Sequence, residues 1–144
     1  MITIKKGTKS DIPKIASLWG KMVNELQPTW APDLEYWEKD EKALFDTGIY
    51  YLCIANDGDD PIGFVDGYVR YEAAVGDFIG YGYNFFILPE YRKKNIAYRL
   101  FNHIFKIAKR KGVETIELQA VPERLNDYKK MGFTTAQYVM RKEL

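Results

Sequence analysis

The sequence predicts an α/β fold, and three observations predict it. Segments of period two and segments of period near 3.6 follow one another in the order β-α-α-β-β-β-α-β-α-β. An apolar strand at residues 85–88 runs through a basic turn directly into an amphipathic helix. No repeat, linker or low-complexity tract interrupts the 144 residues, a length that suits one domain, 1–144, around one core.

Each element has its own signal. Ile2 and Ile4 alternate with Thr3 and Lys5 as in a short strand, and Thr8 with Asp11 makes a capping-box signal for a helix start. Ile12, Ile15, Leu18, Trp19, Met22, Val23 and Leu26 then form a helical stripe that Pro28 stops. A second helix is predicted over 33–48, with Leu34, Trp37, Leu44 and Phe45 inward. Residues 49–55 and 61–71 read as a hairpin about the turn Asn56-Asp57-Gly58-Asp59-Asp60. That acidic turn lacks the closing Glu of a calcium loop, so calcium is not expected there. Residues 78–88 form a long aromatic strand. Residues 95–111 carry Leu100, Phe101, Ile104, Phe105 and Ala108 at helical spacing, with Gly112 as C-cap and His103 off the stripe. Residues 115–120 read as a buried strand, 122–131 as a short helix, and 133–140 as a last strand.

Composition narrows the function. Hydrophobic residues make up 47% and charged residues 28%, and no apolar run reaches the ~20 residues of a membrane helix. The N-terminus MITIKKGTKS has no signal-peptide block, so a cytoplasmic protein with no membrane partner is expected. One cysteine, Cys53, rules out an internal disulfide framework, and with a single histidine a Cys/His metal site is not expected. Net charge is +1, but residues 1–90 hold 8 Lys/Arg against 15 Asp/Glu, while residues 91–144 hold 13 against 5. The C-terminal part is therefore suited to an anion, and the acidic part to a cationic ligand. Nucleic acid is not expected as a partner at this net charge.

The basic turn supplies that anion site. At a helix start the first N–H groups lack intrahelical partners, and the helix dipole adds positive charge at the same place. Arg92, Lys93 and Lys94 reinforce it, Asn95 tolerates positive φ, and Ala97 allows close backbone approach. A basic helix N-terminus without a ligand remains the plainer reading of the same residues.

The run Arg92-Lys93-Lys94-Asn95-Ile96-Ala97, preceded by Leu88-Pro89-Glu90-Tyr91, resembles the acyl-CoA pyrophosphate loop of the GNAT N-acyltransferase superfamily, R/Q-x-x-G-x-G/A. A second block, Tyr128-Lys129-Lys130-Met131-Gly132-Phe133, is similar to that family's Y-x-x-x-G-F segment. The Thr8–Ile12 start and the end at Met140–Leu144 extend the resemblance over the whole chain. It implies a mixed, mostly antiparallel sheet of six to seven strands, splayed between the fourth and fifth and flanked by about four helices. It implies acetyl-CoA as cosubstrate and no metal. Phe86, Ile87 and Leu88 would contact the pantetheine arm through their backbone, with an N–H near Leu88 holding the oxyanion. Arg92, Lys93, Lys94, Asn95, Ile96, Ala97 and Tyr98 would hold the pyrophosphate, and Tyr128 would act as general acid toward the departing thiolate. The family's Asn after the fifth strand has no clear match, since Asn126 lies too close to Tyr128.

The activity implied is acetyl transfer to a primary amine by direct attack in a ternary complex. A degenerate domain binding CoA or a protein partner without turnover, and a toxin-like enzyme acting on aminoacyl-tRNA, are the alternatives. The acceptor would be a small-molecule or peptide amine, and a homodimer is compatible with the sequence. Trp30, Tyr81 and Asn84 are candidate substrate contacts; Tyr36 and Trp37 could add to an aromatic wall. Glu72, Asp77 and Tyr83 are the other polar groups near the fourth strand, and none matches a family base.

Overall fold

Residues 50–56 are buried without interruption, and the computed structural model, which describes residues 1–144, shows why. They form β2 (Tyr50–Asp57), which lies inside a sheet covered on both faces. The sheet runs β1 (Ile2–Lys6), β2, β3 (Asp60–Glu72), β4 (Asp77–Ile87), β5 (Ile116–Leu118), with neighbours in space also neighbours in sequence. All pairs are antiparallel except β4 with β5, which is parallel.

The period of two sends alternate residues of β2 into different cores. Tyr50, Leu52 and Ile54 pack with Ile12, Ile15, Leu18 and Met22 of α1 (Ile12–Leu26) and Trp37 of α2 (Leu34–Asp46). Tyr51, Cys53 and Ala55 pack with Ile96, Leu100 and Phe101 of α3 (Ile96–Arg110) and Tyr128 of α4 (Leu125–Lys130). The expected stripes of α1 and α3 thus face these cores, except that Leu26, at the end of α1, is exposed. Asp33 caps α2 by accepting the Tyr36 N–H at 2.9 Å, and Trp19 stacks on Trp37 at 5.1 Å.

Two expectations require correction. The sheet has five strands, because residues 133–140 form no strand. Phe133 packs among Phe101, Phe105 and Tyr128, but residues 134–144 are exposed and make no backbone hydrogen bond to the sheet. An alternating segment becomes a strand only when an edge pairs with it, and three-residue β5 offers little edge. The short helix also starts later than Pro122: a 3-10 turn over Pro122–Arg124 precedes α4. No helix is long and apolar enough to cross a membrane.

The interior holds two carboxylates at 0% exposure, Asp66 of β3 and Glu41 of α2, and neither has a cationic partner. Asp66 accepts the Tyr50 hydroxyl at 2.6 Å and the Asn84 backbone N–H at 2.6 Å. Both Glu41 oxygens lack a hydrogen-bond partner in the protein, as does the Trp37 indole N–H one turn earlier. Burial first, and then the charge of Asp66, push the Glu41 carboxyl up to about 8.

A stability profile follows from Glu41. Its carboxyl ionises near 4.5 when unfolded and about 8 when folded, so in that window the native state holds the extra proton and stability falls as pH rises. In chemical denaturation from about pH 5 to about pH 8, Glu41→Gln should flatten this decline and exceed wild type at the upper end by on the order of 2 kcal/mol. A wild-type profile that does not fall across this range would contradict the assignment.

Candidate active site

The site is built on the place where β4 and β5 part. They pair only at Gly80–Ile116, Tyr81–Glu117 and Gly82–Leu118, and β4 then continues to Ile87 alone on that side. The two glycines allow the pairing to be close: a Cβ on Gly82 would stand 3.0 Å from the Leu118 Cβ. Beyond Leu118 the strands diverge around a cavity of about 790 Å³.

Which backbone groups face that cavity follows from register. Leu88 donates its N–H to the Ile62 carbonyl at 2.9 Å. By the alternation of an antiparallel ladder, Phe86 also turns its N–H and C=O toward β3, while those of Phe85 and Ile87 turn to the open edge. The Arg92 Nε accordingly finds the Ile87 carbonyl free and donates to it at 2.9 Å. Leu88 itself does not line the cavity, so the strand N–H that faces it there is that of its neighbour Ile87.

At the far end of β4 the chain turns into α3. Asn95 stands at φ 61°, ψ 13°, in the left-handed region that Asn tolerates, and Lys93 stands at φ 65°. This turn leaves the N–H groups of residues 93–98 without any protein acceptor. Concave runs of backbone N–H at a helix start form an anion receptor. Arg92, Lys93, Asn95, Ile96, Ala97 and Tyr98 line the cavity; Lys94 does not, its ammonium lying 5.2 Å over the Tyr91 ring.

Arg92 also reaches across the mouth. Its guanidinium donates to Glu25 of α1 at 2.6 Å, and Arg124 meets the same carboxylate at 3.3 Å. The Arg92 hydrogen bond, opposed by desolvation and aided by Arg92 and Arg124 charge, holds the Glu25 carboxyl below its usual range. Sequence reasoning missed Glu25 and Arg124, which meet over 99 residues of separation with no local signal.

Tyr128 lines the cavity with its ring edge-on to Phe101 and Phe133, at 5.9 and 5.8 Å, and its hydroxyl has no protein partner. Burial pushes the phenol up to about 12. Phe86, Ile87 and Asn84 line the same space. Tyr81 and Trp30 do not. Tyr81 lines a separate void of about 30 Å³ and donates to Glu72 at 3.1 Å, while Trp30 lies on the loop after α1 under the Arg141 guanidinium. Asp66 was also missed, although an Asp-Gly pair in the middle of an apolar strand is a bulge signal. No cluster of three or more His, Cys, Asp or Glu side chains is grouped to hold a metal.

Comparisons with known proteins agree with this architecture. The model of the family described as "Acetyltransferase (GNAT) family" matches residues 19–133. Among solved structures, a putative acetyl transferase from Pyrococcus furiosus superposes with a TM-score of 0.80 at 19% identity, covering 100% of both chains. Glucosamine-6-phosphate N-acetyltransferase from Arabidopsis thaliana gives 0.79 at 16% identity, covering 99% of this chain and 98% of that one. An aminoglycoside acetyltransferase from an uncultured soil metagenomic sample, in complex with sisomicin, gives 0.77 at 18% identity, covering 99% and 95%. At these identities the likeness is one of fold. A search of curated proteins finds no match.

Proposed function

The chain belongs to the acetyltransferase (GNAT) family, and on that premise we propose that it carries an acetyl group from acetyl-CoA to a primary amine by direct attack in a ternary complex. The observation that carries this reading is that one cavity meets the unpaired amides of residues 93 and 95–98, the open edge of β4 and the unpartnered hydroxyl of Tyr128. When bound, acetyl-CoA supplies a thioester carbonyl open to attack by a neutral amine.

The residues present fit that ligand. The N–H groups of 93–98 would donate to the pyrophosphate oxygens with the α3 dipole behind them, and Lys93 adds charge. Ala97 leaves room for that approach. The N–H of Ile87 and both backbone groups of Phe85 are available to the amides of the pantetheine arm, in the manner of an added strand. The Ile87 N–H is the strand amide available to charge developing on the acyl oxygen.

Tyr128 works here as a hydrogen-bond donor. A phenol at about 12 is fully protonated at neutral pH, yet a thiol ionises near ~8.5, so complete proton transfer to the leaving thiolate is uphill. Holding the thiolate by a charge-assisted hydrogen bond costs no such transfer. The left-handed conformation of Asn95 is one that Asn adopts, which supports a closed turn at the start of α3.

Two outcomes check the reading. Ala97→Glu sets a negative side chain against the pyrophosphate, while a Glu in the first turn suits the helix dipole. Calorimetry should therefore show acetyl-CoA affinity reduced by about 100-fold or more with an unchanged melting temperature. Equal affinities would refute the loop assignment. Tyr128→Phe should lower kcat by about 10- to 100-fold with little change in the acetyl-CoA KM, the effect of one hydrogen bond to a charged group. An unchanged kcat would remove Tyr128 from the chemistry.

A further inference from the structure

The β3–β4 pairing slips once. Asp66 faces Asn84 and Gly67 faces Gly82, so Tyr83 is an extra residue with no partner on β3. At this bulge the Asn84 N–H donates to the Asp66 side chain at 2.6 Å. The Asn84 side-chain amide lies 3.1 Å from both Asp66 oxygens. Gly67 makes the slip feasible, since a Cβ there would stand 2.4 Å from the Tyr81 carbonyl oxygen.

These contacts fix which way the Asn84 amide points. Above about pH 6, where Asp66 is ionised, Oδ1 against it would set two acceptors together with no proton between them, so Nδ2 faces the carboxylate. Asn84 is half-buried and lines the large cavity. What it has left for a ligand is an acceptor, Oδ1, and the ligand group that matches is an N–H donor. Behind it stand Asp66, held by Tyr50 and Asn84, and Glu41, with no cation paired to either. Glu41 keeps its proton at neutral pH, so the negative field here comes from Asp66 and Asp40, both within reach of Tyr83. An ammonium group or a polar amine is therefore favoured at this place over an anionic or apolar acceptor.

We propose that Asp66 is a positioning residue for the acceptor amine, acting through Asn84, whose carbonyl oxygen it turns to the cavity to accept the amine N–H. This rests on the transferase reading above and deepens it: Asn84 touches the substrate, and Asp66 holds Asn84 and the Tyr83 bulge in place. Neither residue contacts the pyrophosphate turn.

The test is steady-state thiol release with a panel of primary amines, 1,4-diaminobutane, ethanolamine, lysine amide and glucosamine, at saturating acetyl-CoA. Acetyl-CoA affinity is measured separately by calorimetry. For the amine with the highest turnover, Asp66→Asn and Asn84→Ala should each raise the amine KM by about tenfold or more, with acetyl-CoA affinity within about twofold of wild type. The double variant should be no worse than the poorer single one, because the two residues act as a unit. Asn84→Ala removes only a half-buried side chain, so it remains informative if Asp66→Asn does not fold. An unchanged amine KM in Asn84→Ala, or additive losses in the double variant, would overturn the proposal while leaving the transferase reading intact. Acetyl-CoA binding to wild type without release to any amine would overturn both.

Discussion

Everything distinctive about this molecule depends on β5 pairing with β4 for three residues and no more. A parallel strand inside a sheet normally has both edges satisfied, because buried N–H and C=O groups without partners are costly. Here the second half of β4 keeps its β3 edge and loses the other. The cavity, the open amides of Phe85 and Ile87 and the exposure of the α3 turn are consequences of that single divergence. The same divergence brings Arg92 back to the Ile87 carbonyl, so one open group is capped from within the chain. It also lets Glu25 join the two rims through Arg92 and Arg124.

A second constraint runs from the opposite face. The core between the sheet and α1–α2 is not wholly apolar: it buries Asp66 and Glu41 together. Burying two carboxylates without a cation is unfavourable unless one keeps its proton, and the suppressed ionisation of Glu41, pushed up to about 8, reflects that. Burial also pushes the Asp66 carboxyl up, to about 6, and the hydrogen bonds from the Tyr50 hydroxyl and from the Asn84 backbone and side chain offset only part of that. A hydrophobic pair would pack this region at less cost. The arrangement therefore makes physical sense as a means of setting the geometry of β4 where it borders the cavity.

Much of this was legible in the sequence because local chemistry decided it. The stripes of α1 and α3, the Asp33 cap, the hairpin about Gly58 and the turn before Ile96 all follow from residues within a few positions of one another. The last strand was not legible, since the alternation of 133–140 says nothing about whether an edge awaits it. Register was equally hidden: that Ile87 and not Leu88 faces the cavity depends on Leu88 reaching Ile62, 26 positions away. Glu41 did carry a signal, falling four residues after Trp37 and four before Phe45, on the inward stripe of α2. A charge on that stripe marks a buried group, whereas the pairing of Glu25 with Arg124 has no counterpart in local pattern.

The central claim is that the open edge of β4 and the turn before α3 together receive acetyl-CoA. Amide hydrogen exchange with and without acetyl-CoA tests it most directly, since it reads the individual N–H groups in question. The account predicts protection of residues 93–98 together with Phe85 and Ile87, and little change at Phe86 and Leu88, whose amides already bond to β3. Protection elsewhere on the molecule, or none at these residues with ligand bound, would contradict it.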